Sequence, residues 1–269
     1  MSLTSTLSFS NKGGFRLPSL TGQRWVSPVV LILLWEAGSR AGVIPTHVLA
    51  APSAVIRTAW EMIVSGELPS NMLVSLGRAA AGLAIGVTLG SVLAIASGLT
   101  KAGENALDPP IQMLRTLPSL ALTPLFIVWF GIGETPKIAL ISLGTLFPIY
   151  LNLFNGIRGV DPKLIEAARS FGLKGWDLIA HVILPGALPS FLLGLRFALA
   201  GSWLILVVAE QINASAGLGY LINNARDFSR TDVIVVCLIV YALLGLSADA
   251  IVRALERRAL AWRPSFIKS

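Results

Sequence analysis

The sequence predicts an all-α integral membrane protein with about six transmembrane helices, and three observations predict it. Of its 269 residues, 54% are hydrophobic and 13% charged, which leaves too little polar surface to cover a soluble globule of this size. Six segments approach the roughly 20 mostly apolar residues that a bilayer crossing requires. The polar residues are also concentrated: an island from Arg158 to Ser190, RGVDPKLIEAARSFGLKGWDLIAHVILPGALPS, stands between two apolar blocks.

The elements follow in order. Residues 1–24, rich in Ser, Thr, Gly and Lys, are expected to form a mobile N-terminal tail. The spans fall near Trp25 to Val43, Leu73 to Leu99, Ile111 to Ile132, Ile138 to Phe154, Gly186 to Ala209 and Val233 to Ala250. Glu36 and Arg40 interrupt the first, four residues apart, where the two charges can pair on one helix face and lower the cost of immersion. A cleaved signal peptide is the rival reading, but its apolar region would run only about 7 to 15 residues, so a retained helix fits better. Residues 25–69 thus comprise the first helix and an external loop, within which Ser53 to Val64 is apolar enough for a helix lying at the interface. In the second span Gly82, Gly86, Gly90, Ala94 and Gly98 recur every fourth residue, a smooth stripe against which another helix packs closely.

The polar island opens with a short helix whose two ends are specified. Asp161 is the N-cap, Pro162 fits the first helical position, and Gly172 can take the left-handed conformation that stops the helix. Ala167 and Ala168 leave one flank bare for another protein surface, while Glu166 and Arg169 offer directional polar contacts at its edges. Glu166, Ala167, Ala168, then Gly172, then Ile183-Leu184-Pro185 resemble the EAA loop of ABC-importer permeases. The resemblance implies an ATPase-docking segment formed by Glu166, Ala167, Ala168, Arg169, Phe171 and Gly172. The plainer alternative is an ordinary amphipathic loop helix, since Glu-Ala-Ala also arises by chance.

Orientation follows from the cations. With the N-terminus inside and six spans, fourteen Lys and Arg fall in the inner segments, Arg158, Lys163, Arg169 and Lys174 among them. Six fall outside or at outer helix ends: Arg40, Arg57, Arg78, Lys137, Arg226 and Arg230. This positive-inside bias places both termini and the polar island in the cytoplasm. The net charge of +7 is dispersed through short loops and a basic tail at 253–269, so anionic lipid headgroups explain it better than nucleic acid does.

The search for chemistry excludes more than it finds. No Gly-Lys dipeptide occurs, so the chain carries no P-loop for ATP, and the energy source must be another subunit. His47 and His181 lack companions at metal spacing, and the single cysteine, Cys237, reads as a small core residue in an apolar span. No catalytic residue, metal site or cofactor is expected in this chain. The absence of paired acids or a Ser/His/Asp arrangement argues against an intramembrane hydrolase and weakens a proton-driven carrier.

The fifth span is the exception. Arg196, Trp203 and Glu210 recur every seven residues and so share a stripe about 40° wide. Arg196 and Glu210 stand roughly 21 Å apart along the axis, too far to pair. Either they line the translocation pathway, or Arg196 snorkels or caps a neighbouring helix while Glu210 faces the outer interface.

The resemblance extends over roughly residues 70 to 265. QMLRTLPSLALTPLFIVWFGIGE, LGTLFPIYLNLFNGIR, HVILPGALPS, RFALAGSWL and NNARDFSRTDV look like the ABC permease branch that imports sulfonates, taurine, nitrate, bicarbonate and thiamine precursors. Within it QMLR, TLFPIY, HVILPGALPSF and YALLG are most similar to the aliphatic-sulfonate permeases. The resemblance implies a type I importer transmembrane domain, with residues 70–252 as the permease core, in a bacterial inner membrane. It further implies a homodimer on two ATPase subunits, which carry the ATP and Mg, fed by a substrate-binding protein. A secondary carrier or channel and a membrane enzyme are the competing classes; co-purification of an ATPase would separate the importer from both.

Overall fold

The computed structural model describes residues 23–262; the N-terminal tail and the end of the basic tail lie outside them. Every regular element among the described residues is helical: α1 (Gln23–Arg40), α2 (Pro52–Val64), α3 (Glu67–Gly98), α4 (Lys101–Arg115), α5 (Thr123–Phe130), α6 (Glu134–Arg158), α7 (Pro162–Ser170), α8 (Gly175–Leu178), α9 (Leu184–Asn213), α10 (Leu218–Asp227) and α11 (Thr231–Ala259). A short 3₁₀ turn, Ser119–Leu122, leads into α5, and a π-helical turn, Ile179–Ile183, carries α8 into α9 just before Pro185, which has no N–H for the helix ladder.

The central helix is α6, packed along α3 on one side and α9 on the other. Glycines set how close these helices come. Side-chain-free Gly82, Gly86, Gly90 and Gly98 meet Ile141, Thr145, Ile149 and Ile157, respectively, at one constant offset, so α3 and α6 run parallel. A Cβ on Gly86 would stand 2.5 Å from the Ser142 carbonyl oxygen, a distance no real side chain tolerates. On the other side Gly156 faces Ser190 and Gly194 faces Asn152, so α9 runs antiparallel to α6.

Because α3 and α6 are parallel, the segment joining them must return along the bundle. It does so as a bent pair: α4 and the Ser119–Phe130 stretch meet at 87°. The straight span expected from Ile111 to Ile132 is therefore corrected to a broken one. Pro118 removes a helix donor and disfavours helical geometry at Leu117, and the chain turns there. The lower arm is held to α6 by Asp108, whose Oδ1 accepts from the Tyr150 hydroxyl at 2.9 Å, and by the Arg158–Glu104 ion pair.

Among the described residues four helical stretches are long and apolar enough to cross a membrane, beginning at Glu67, Glu134, Gly175 and Thr231; the bent pair, counted as one span, makes a fifth. The shorter α1, which carries the Glu36–Arg40 pair at 2.6 Å, falls outside this set. Glu36 also accepts from the backbone and hydroxyl of Ser53, tying α1 to the start of α2. In turn α2 buries Val55, Thr58 and Met62 along one face, and the Thr58 hydroxyl donates to Asp232 at 2.7 Å. It thus sits at the end of the bundle opposite α7. Cys237 is fully buried in the apolar core between α9, α10 and α11.

Candidate functional site

The polar island folds as a capped helix followed by a reversal. Asp161 Oδ1 accepts from the Lys163 N–H at 2.9 Å, and Pro162 occupies the first turn of α7, where its missing donor costs nothing. At the other end the Gly172 N–H donates to the Arg169 carbonyl (2.9 Å) and the Leu173 N–H to the Ala168 carbonyl (3.1 Å), the paired bonds of a Schellman motif. Gly172 has φ +90°, a region that a side chain disfavours.

The two alanines of this helix face different ways. Ala167 is exposed and Ala168 is buried, so the bare flank expected of both is corrected to Ala167 alone. Ala168 is the position that seats α7 on its own chain. The exposed surface instead carries Glu166 and Arg169 together with Leu164 and Phe171, the last 87% exposed, and Trp176 projects just beyond. Large apolar side chains held in the open by a rigid, capped helix form a surface suited to a protein partner. The sequence pattern singled out Phe171 but passed over Leu164 and Trp176.

The fifth-span residues are separated. Glu210 is fully enclosed. Its carboxylate accepts from Ser75 Oγ (2.8 Å), Arg78 Nη1 (2.6 Å), the Gly219 N–H (2.9 Å) and the Tyr241 hydroxyl (3.0 Å). Arg78 also pairs with Glu134, which Lys137 joins at 3.2 Å, and donates to the Ala216 carbonyl at 2.7 Å. Four charges thereby tie the ends of α3, α6 and α9 that lie away from α7 to the α9–α10 turn. Glu210 also lies at the N-terminus of α10, where a negative charge is favoured by the helix dipole. The single stripe expected of Arg196, Trp203 and Glu210 is therefore corrected: Glu210 is spent on the fold, because every side of its carboxylate meets a donor.

Arg196 and Trp203 do share a surface. Both line a cavity of about 490 Å³ between α9 and α11, with Phe197, Leu204, Val252 and Asp249. Arg196 Nε lies 2.9 Å from Asp249 Oδ1, and Arg253 Nη1 lies 2.6 Å from Oδ2. Asp249, Arg78, Glu134 and Ser75 were not legible as partners, since they come from three helices, α11, α3 and α6, far apart in the sequence. Among the described residues no three His, Cys, Asp or Glu side chains stand together as metal ligands would; His181 Nδ1 contacts the Asp177 carbonyl at 2.9 Å.

Comparison with known proteins gives this arrangement its context. Residues 86–260 match the family model described as "binding-protein-dependent transport system inner membrane component". The chain is 51% identical to the putative aliphatic sulfonates transport permease protein of Escherichia coli (strain K12), covering 90% of this chain and 92% of that one. It is 48% identical to the protein of the same description in Bacillus subtilis (strain 168), with 89% and 87% covered. It is 35% identical to the taurine transport system permease protein of E. coli (strain K12), with 87% and 86% covered. A crystal structure of an amino acid ABC transporter with histidines superposes with a TM-score of 0.62 at 20% identity over 74% of this chain and 96% of that one, a likeness of fold. The parallel α3–α6 core, the capped helix between α6 and α9 and the family match over the same residues make this chain a member of the binding-protein-dependent transport system inner membrane component family, the transmembrane permease subunit of an ABC importer.

Proposed function

We propose that this permease imports aliphatic sulfonates, working as a homodimer on two ATPase subunits and receiving cargo from a substrate-binding protein. The observation that carries the substrate class is the identity to two aliphatic sulfonates permeases from distant bacteria, about half of all residues, well above that to the taurine permease. ATP and Mg belong to the partner ATPase, and this chain needs no cofactor of its own.

In this reading α1 completes six crossings, both termini face the cytoplasm, and α7 lies on the cytoplasmic side with the end of α11. Residues 70–252 form the permease core. Closure of the ATPase pair carries α7 as a rigid handle, with Glu166, Ala167, Arg169, Phe171 and Leu164 at the contact. Its motion passes to α6 before it and, by way of α8 and the π-helical turn, to α9 after it, and opens the central path outward; hydrolysis reverses it. Arg196 and Trp203 line that path, where a cation and an indole offer a passing foothold to an anion while the binding protein does the selecting.

Growth tests the substrate. In a strain without a redundant importer, deleting the gene should abolish growth on an alkanesulfonate as sole sulfur source and spare growth on sulfate. Normal alkanesulfonate uptake in that strain would sink the assignment. Loss of taurine or nitrate uptake instead would move the protein to a sister branch with its fold and docking loop intact.

A further inference from the structure

Ionisable side chains within a membrane span are turned toward water or protein, because lipid tails cannot solvate them. Arg196 stands about 18 Å along α9 from Leu184, at 1.5 Å per residue, and its side chain is 44% exposed. Asp249 faces it from α11 and is 30% exposed. This face of the protomer therefore meets an aqueous path or a second copy. The cavity beside it, about 490 Å³, falls in the size range of small-molecule sites, roughly 300–1,000 Å³.

Its lining is of two kinds. Phe197, Leu204 and Val252 are apolar; Arg196 and Asp249 are charged. Trp203 adds an aromatic side chain to the wall. We infer that this cavity binds a monoanionic oxyanion head group carrying an aliphatic tail, and that Asp249 limits the site to a single negative charge.

The charge pattern carries the second half of that statement. Each oxygen of Asp249 holds one guanidinium, Arg196 on one side and Arg253 on the other. Two cations against one carboxylate leave one positive charge uncompensated. Arg196 is engaged through Nε, so its terminal amino groups are available to a ligand while Asp249 stays in place. A sulfonate or a phosphodiester supplies one negative charge and several acceptors to those groups, and its tail covers the apolar wall. A dianion would bring its second charge toward the Asp249 carboxylate, which Arg196 and Arg253 hold from either side. Asp249 thus serves as a permanent counter-ion that selects for monoanions and keeps their residence short. The inference rests on the reading of the α9–α11 face as part of the pathway.

Two sources share this chemistry, a free alkanesulfonate and an anionic phospholipid. Binding of hexane-1-sulfonate should be measured by calorimetry on the full permease–ATPase complex in phosphatidylcholine nanodiscs. We expect saturable binding that Arg196→Gln weakens at least tenfold and Arg196→Lys largely retains. Sulfate should not bind the wild type, and Asp249→Asn, or Asp249→Ser if the first variant melts early, should admit it within tenfold of hexanesulfonate. Phosphatidylglycerol in the nanodisc, if it displaces hexanesulfonate, identifies lipid as the resident ligand; undisturbed binding assigns the site to the free sulfonate. Binding indifferent to Arg196→Gln, or continued exclusion of sulfate from a folded Asp249 variant, overturns the inference. Cellular sulfonate uptake without binding to the complex would overturn this site and leave the importer standing, whereas binding without uptake would do the reverse.

Discussion

Arg78 and Glu210 form an enclosed ion pair, Nη1 to Oε1 at 2.6 Å, with the arginine side chain 4% exposed and the glutamate fully buried. The same arginine holds Glu134 and the Ala216 carbonyl, so one guanidinium joins α3, α6 and the α9–α10 turn. Truncating one member of such a pair leaves the other charge buried and unpaired. Arg78→Ala should therefore destabilise the protein by about 3–5 kcal/mol. The Arg78→Ala/Glu210→Ala double variant should lose clearly less than the sum of the single losses. Thermal melts of the three variants in detergent check this, and strict additivity would mean the pair is not coupled.

Close approach of α3 and α6 gives a second prediction. A Cβ on Gly86 would meet the Ser142 carbonyl oxygen and Thr145, which are backbone and a buried hydroxyl with nowhere to go. Gly86→Leu should force the helices apart and abolish recoverable complex. In the same helix, an added Cβ at Gly77 meets nothing within 4 Å. Gly77→Ala should be neutral or stabilising by up to roughly 1 kcal/mol through helix propensity alone. Equal effects at the two sites, in yield and melting temperature, would remove the packing role of the stripe.

What the sequence made legible and what it hid divide along one physical line. Local signals were readable: the Asp161–Pro162 start and Gly172 stop of α7, the Glu36–Arg40 pair and the glycine spacing each involve residues within a turn or two of one another. Ser53 to Val64 was readable as a helix for the same reason. Pairings between distant elements were not. Glu210 meets Ser75 and Arg78 from far along the chain, and its spacing from Trp203 on α9 carried no trace of that competition. The break at Pro118 was hidden differently: apolar residues continue through it, so hydropathy alone runs the two arms into one straight span. Ala168 looked like surface because small residues suit both an interface and a tight seat.

The docking loop yields a third prediction. Gly172 holds φ +90° and nothing crowds it, so replacement acts through backbone strain alone. Gly172→Val should redirect the chain after α7, leave the bundle folded and uncouple ATPase activity from uptake. Phe171→Asp and Glu166→Lys change an exposed apolar contact and an exposed charge, and should lower co-purification of the ATPase at unchanged permease yield. Wild-type uptake and wild-type complex in all three variants would refute α7 as the docking helix.

Sidedness is the last prediction, and it follows from two features that meet at opposite ends of the bundle. Lys174 is exposed just beyond α7, at the end of the bundle where α6 finishes, while Arg226 is exposed on α10, which follows the turn held by Arg78. Asn223 is a poorer probe of that end, because its amide is engaged with the Gln211 carbonyl. In a Cys237→Ser background, which removes the buried thiol, Lys174→Cys should be protected in intact cells from a membrane-impermeant maleimide and react after permeabilisation. Arg226→Cys should react in intact cells. Since α3 and α6 run parallel with the bent pair returning between them, these two positions cannot lie on the same side unless α9 fails to cross. Protection of both would thus break the crossing of α9, and the reverse pattern would put α7 outside, beyond the reach of any cytoplasmic ATPase.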